Sequence, residues 1–383
     1  MDIKAIVSLI KEDARQSNLG LFIFEAKSKH IEVSTGGGGD AAGKAFEVHT
    51  AKHIGHILRG GTDSEAHYPE HFSDTSGDTP QESVKKQKSR LGSVLHNQIE
   101  RHARRMAYHI VNHMKKQGIN LDNTSKVHWT SKPNDLERLT GRKGIKGTAD
   151  ITVTHKGKHH GFSLKYSTSS TPPSLRSPGI DSLNRLLKAD HEHVSHISNQ
   201  HDSDVDKSVG QYVGKGSKSE KHQRFKKLLT MSHSSGEHKA AMNALEASKS
   251  THRKLASHYS DSFNKLNHED KTAFIRKMND AEEQPTIKPY RASYNGKLNS
   301  SHISNPTRDF DEIHSKAHSY SSEVSGSSVN IYAHNHDGSR TKVSSFGIKN
   351  KSSSPYSGLS GRVSDVSKKF TTRVRAKIKP KKK

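Results

Sequence analysis

Residues 147–168 read GTADITVTHKGKHHGFSLKYST, and here strand periodicity and chemically able side chains coincide. Ile151 and Val153 alternate with Asp150, Thr152 and Thr154; Phe162, Leu164 and Tyr166 alternate with Ser163 and Lys165. Two half-buried strands follow from that period of two, with Lys156-Gly157-Lys158 as the turn between them. Pairing these strands gathers Asp150, Ser163 and Lys165 on one surface. A carboxylate beside a lysine suits the cutting of phosphodiesters, where a metal-held carboxylate neutralises phosphate charge and a lysine orients or deprotonates water.

Working upstream, residues 41–58 place Ala42, Ala45, Phe46, Ala51, Ile54, Ile57 and Leu58 on one helical stripe, with Glu47 beside it. His49, His53 and His56 recur on the same helix, but they lack the internal glutamate of a metalloprotease motif, and a chain with 29 histidines generates such spacings freely. Residues 36–39, four glycines, read as a linker, and residues 2–14 and 19–24 read as a helix and a strand. Residues 60–83 read as a loop. One long helix is expected over 84–116, its apolar residues running from Leu91 to Met114 and its other faces carrying Arg101, Arg104 and Arg105. Arg142, Lys143 and Lys146 precede Asp150, and Arg176 follows the hairpin; all seven are candidate phosphate contacts.

Downstream, residues 180–187 read as a helix and 190–220 as a His-, Ser- and Asp-rich solvated loop. Helices return over 221–284. From 286 onward short alternating segments predict strands, with Asp337-Gly338 as a hairpin turn. The contiguous His334-Asn335-His336 is not an HNH nuclease signature, whose three residues are spread along a ββα unit. The organisation expected is a core over 1–190, a helical region over 191–285, a β-rich segment over 286–372 that completes the core, and a basic tail over 373–383.

Composition narrows the function classes. Lys+Arg number 63 against 39 Asp+Glu, a net charge of +24, so a polyanionic partner is expected, DNA first. The longest apolar run, around Leu21–Phe24, is far too short to span a membrane. The absence of cysteine excludes disulfides and thiolate metal sites. With no secretory pattern at the N-terminus, an intracellular protein is expected, in the cytoplasm of a host cell or associated with a virion.

Glu47 on a helix, Asp150 on a strand and Ser163-Leu164-Lys165 across a short hairpin together resemble the PD-(D/E)XK, or restriction-endonuclease-like, nuclease superfamily, including its phage-encoded members. The resemblance implies an α/β fold with a mixed central sheet flanked by helices, a helical insertion and a β-rich C-terminal part. It also implies Mg²⁺-dependent (or Mn²⁺-dependent) DNA endonuclease activity. By it, Glu47, Asp150 and the Leu164 carbonyl would bind the metal and Lys165 would position the attacking water. Ser163 stands where the family has an acidic residue. Site-specific cutting in such enzymes often uses a homodimer. The alternative expectation, from charge alone, is a non-catalytic DNA-binding or virion-associated structural protein.

Overall fold

The computed structural model describes residues 38–61, 70–71, 79–130, 134–143, 149–167, 174–281, 286–352 and 354–364. The expected elements over 2–14 and 19–24, Lys146 and the tail over 373–383 lie outside them. The chain partitions into Met1–Gly39 and Asp40–Lys383, and the second unit holds both sheets. Among the described residues are ten α-helices and eleven strands: α1 (Gly38–Leu58), β1 (Glu70–His71), α2 (Pro80–Leu91), α3 (Ser93–Lys116), β2 (Lys126–Trp129), α4 (Asp135–Thr140), β3 (Ile151–His155), β4 (Lys158–Ser167), β5 (Ser174–Arg176), α5 (Ile180–Leu187), α6 (His191–Val213), α7 (Lys218–Leu229), α8 (Gly236–Lys265), α9 (His268–Met278), β6 (Ile287–Asn295), β7 (Ser300–Ser304), α10 (Pro306–His314), β8 (Ala317–Ser325), β9 (Ser328–Asn335), β10 (Arg340–Asn350) and β11 (Leu359–Ser364).

The quoted stretch forms the hairpin its periodicity predicts. Lys156 and Gly157 turn it with φ of 49° and 73°, and Ile151 pairs with Phe162. The hairpin sits centrally in a mixed six-stranded sheet of order β1-β2-β3-β4-β6-β7, in which β1 runs parallel to β2 and β4 parallel to β6. That architecture is the mixed α/β class expected. Phe162, Leu164, Tyr290 and Ala292 face one side of this sheet, where α1 and α3 cover them with Phe46, Ile54, Ile99, Met106 and Ile110. Each of the Phe, Leu, Ile and Met side chains among them contributes about 1.5–3 kcal/mol by leaving water. Gly161 lets neighbouring chains close over the other side: a Cβ there would meet Ile287 Cγ2 at 2.7 Å and Ala149 Cβ at 2.8 Å.

A second, antiparallel sheet has the order β5-β11-β10-β9-β8. Its core joins Ile331, Phe346 and Val363 to Tyr259 and Phe263 of α8 and Phe274 of α9. The chain passes from β4 to its parallel neighbour β6 through β5 and five helices, α5 to α9. Strands β6 and β7 thus extend the first sheet, while β8 to β11 belong to the second.

Four local expectations are corrected. The glycine run is not all linker, because α1 begins at Gly38. The helix expected over 84–116 is two helices, broken at Gly92, whose φ of 75° an L side chain rarely adopts. The first begins at Pro80, inside the expected loop, with Thr79 and Glu82 forming a capping box. Residues 190–220 are mostly helix rather than loop. Asp190 caps α6 by accepting from the Glu192 and His193 amides, and Val194, Ile197, His201, Val205, Val209 and Val213 form its buried stripe.

Candidate active site

Strand β4 outlasts its partner. Past the Ile151–Phe162 pair, β3 has ended while Ser163 to Ser167 continue, paired only with β6 on the far side. The result is a notch at the ends of β2 and β3. Asp150 stands at its mouth, its amide donating to the Phe162 carbonyl (2.9 Å) and its carbonyl accepting from Thr130 N–H (2.9 Å). The Leu164 N–H donates to Asp150 Oδ2 at 2.6 Å, and the Ser163 hydroxyl lies 3.5 Å from the same oxygen. Those contacts fix the carboxylate and leave Oδ1 for another partner.

Helix α1 brings Glu47 to this notch. Phe46 is fully buried and stacks on Tyr166 of β4, with ring centroids 4.6 Å apart, which docks α1 beside the part of β4 that outlasts β3. The Trp129 indole N–H at the end of β2 partners the Glu47 carboxylate. Glu47, Asp150 and Lys165 lie within electrostatic reach of one another. Burial, with the Asp150 charge adding to it, pushes the Glu47 carboxyl up to about 8 against the pull of Trp129, Lys165 and Lys44. Burial also raises Asp150, opposed by Lys165, the Leu164 amide and Ser163, with Asp280 adding to the rise. Two half-buried carboxyl groups held against ionisation, beside an ammonium, form a donor set that a divalent cation would relieve. Their chemistry fits Mg²⁺ or Mn²⁺, which Glu47 and Asp150 would be the side chains to hold. The Leu164 side chain points into the core.

The raised Glu47 has a consequence for stability. The native state holds its proton to about pH 8, whereas the unfolded chain releases it near 4.5. Glu47 therefore favours folding fully below 4.5, and that contribution is lost as pH rises through 8. In metal-free protein, the urea midpoint is expected to fall between about pH 6 and about pH 9, and Glu47→Gln is expected to flatten that fall. A slope unchanged by the substitution would contradict the burial of this carboxyl.

Of the expected phosphate contacts, Arg101 and Arg104 are exposed on α3, and Arg105 bonds Asn299. Arg142 and Lys143 are exposed just past α4. Lys146 and the Arg176 side chain lie outside what is described. Helix α3 packs on the sheet face carrying Phe162 and Leu164.

Two residues with no role in the sequence reading stand beside Ser163. Arg291, 6% exposed, pairs across β6 with Ser163 and donates to the Asn279 carbonyl. Asp280 follows α9 with a φ of 52° and, with Ser163 and Arg291, lines a cavity of about 10 Å³. That is room for at most one water. Local periodicity carries no signal for either residue; the only cue is the Asn279-Asp280 pair at a helix end, a left-handed stop. A larger groove of about 1160 Å³ lies at the opposite end of β4, over His159, His160 and Lys288, away from the carboxyl groups.

No family model, no curated protein and no solved structure matches this chain. No helix among the described residues is long and apolar enough to cross a membrane.

Proposed function

We propose that the protein is a divalent-metal-dependent endonuclease acting on DNA, of the PD-(D/E)XK kind. The observation that carries this reading is the convergence of Glu47 from α1 with Asp150 and Lys165 from the hairpin at one notch. Glu47 and Asp150 would hold the metal, which when bound supplies positive charge against the scissile phosphate. The Lys165 ammonium donates a hydrogen bond to the attacking water and orients it, and the proton that the water loses passes to solvent. The net charge of +24 supports a polyanionic substrate.

Ser163 favours a second reading, a DNA-binding or virion-associated structural protein that does not cut, because its neutral hydroxyl is a weak metal ligand. One experiment separates the two. Supercoiled plasmid incubated with the protein and Mg²⁺ or Mn²⁺ is expected to be nicked and linearised. Asp150→Ala is expected to stop the cutting, with DNA affinity, read by fluorescence anisotropy, unchanged within about twofold. Intact plasmid with the wild type in both ions, despite tight DNA binding, would favour the structural reading.

A further inference from the structure

Helices α1 and α3 meet at a polar spot inside an otherwise apolar contact. His49 and His53 lie four residues apart on α1, and His96 and Glu100 four apart on α3, so each pair shares a helix face. His49 is 1% exposed and His96 3%, with their Nε2 atoms 3.2 Å apart. The Nδ1 atom of each is buried with no hydrogen-bond partner. Glu100 closes the group: its Oε1 is 3.6 Å from His49 Nδ1, and donor atoms of the three residues lie within 4.8 Å of one another.

The two Nε2 atoms face each other across the helix contact and the Nδ1 atoms lie on the other side of each ring, so it is the Nε2 separation that bears on a shared ion. Two imidazoles on one tetrahedral Zn²⁺, at about 2.0–2.1 Å each, place their nitrogens about 3.3 Å apart. The observed 3.2 Å separation matches that spacing. We propose that His49, His96 and Glu100 form a transition-metal site, with Zn²⁺ as its natural occupant, separate from the carboxylate notch. His53 Nε2, 3.8 Å from Glu100 Oε1 and itself without a hydrogen-bond partner, is within reach of the fourth position. The Lys52 ammonium, 3.2 Å from Glu100 Oε1, balances the carboxylate, and a dication would take over that role. The Glu100 side chain is 34% exposed and gives an ion its way in. Two imidazoles and one carboxylate select Zn²⁺ or Co²⁺ over Mg²⁺. The ion would cross-link α1 to α3 and steady the helix that presents Glu47.

The test is independent of any nuclease activity. Full-length protein, stripped with chelator, is titrated with Co²⁺. One equivalent is expected to give the intense visible absorption of a tetrahedral site, which Zn²⁺ then abolishes. Asp150→Ala is expected to keep that spectrum. Glu100→Gln and His96→Asn are each expected to weaken binding at least about tenfold, since loss of even an outer partner of a ligand costs that much. Glu100 is partly exposed, so its variant keeps the fold, checked by circular dichroism, and the result does not hinge on the buried histidine. No tetrahedral absorption in the wild type, or undiminished binding in Glu100→Gln, would overturn the site.

Discussion

Lys165→Ala is expected to slow DNA cleavage by about 10²–10³-fold, the range associated with losing one preorganised charged donor, or about 2.7–4 kcal/mol of transition-state stabilisation. The expectation follows from position. Lys165 lies past the last residue that β3 pairs, on the part of β4 that borders the notch, in electrostatic contact with both Glu47 and Asp150. It is one of 63 basic residues, so DNA affinity should change by no more than about twofold and the salt dependence of binding by about one phosphate contact. Lys165→Arg is not expected to rescue cutting, because a planar guanidinium fork does not reproduce the compact point charge with which an ammonium holds the water. Single-turnover cutting of an end-labelled duplex at saturating protein separates this loss from binding. Cutting at the wild-type rate by the alanine variant would remove Lys165 from the chemistry.

Phe46→Ala is expected to destabilise the protein by about 3–5 kcal/mol, read from urea denaturation. Phe46 is fully buried, stacked on Tyr166 with an interplanar angle of 19° and 5.9 Å from the Tyr294 ring. Deleting it leaves a cavity between α1 and the β4–β6 pair, and α1 can close that cavity only by moving Glu47. Cutting should therefore fall even under conditions where the variant remains folded. Phe46→Leu, which keeps most of the volume, should cost roughly 1.5 kcal/mol or less. A cost below about 1 kcal/mol for the alanine variant would mean that α1 is not docked through this residue.

The hairpin was legible because two signals agreed: alternation over Ile151–Thr154 and Phe162–Tyr166, and a glycine where the turn needs positive φ. Glu47 was legible as a helical residue beside an apolar stripe. Helix α6 was not, because its valines at 205, 209 and 213 are diluted by polar neighbours that lower the average hydropathy while leaving the four-residue step intact. Gly92 reads like any glycine within a helical pattern until its backbone angle is known. Asp280 and Arg291 reach Ser163 from more than a hundred residues downstream, through a parallel pairing that no local pattern encodes. The histidines of α1 had a spacing but no partner, since His96 and Glu100 come from a different helix.

The parallel pairing of β4 with β6 also bears on biosynthesis. Ser163–Ser167 find their strand neighbour only in 291–295, after the whole helical insertion has been made. During translation the nascent hairpin carries Lys165 on β4, a strand whose outer edge is bare and exposed to mispairing until β6 emerges. Closing so long a loop makes assembly of this sheet a late and slow event. A chain ending before residue 287 would carry every proposed ligand of the notch and no completed sheet to hold them, so the notch takes its shape only once β6 has been made.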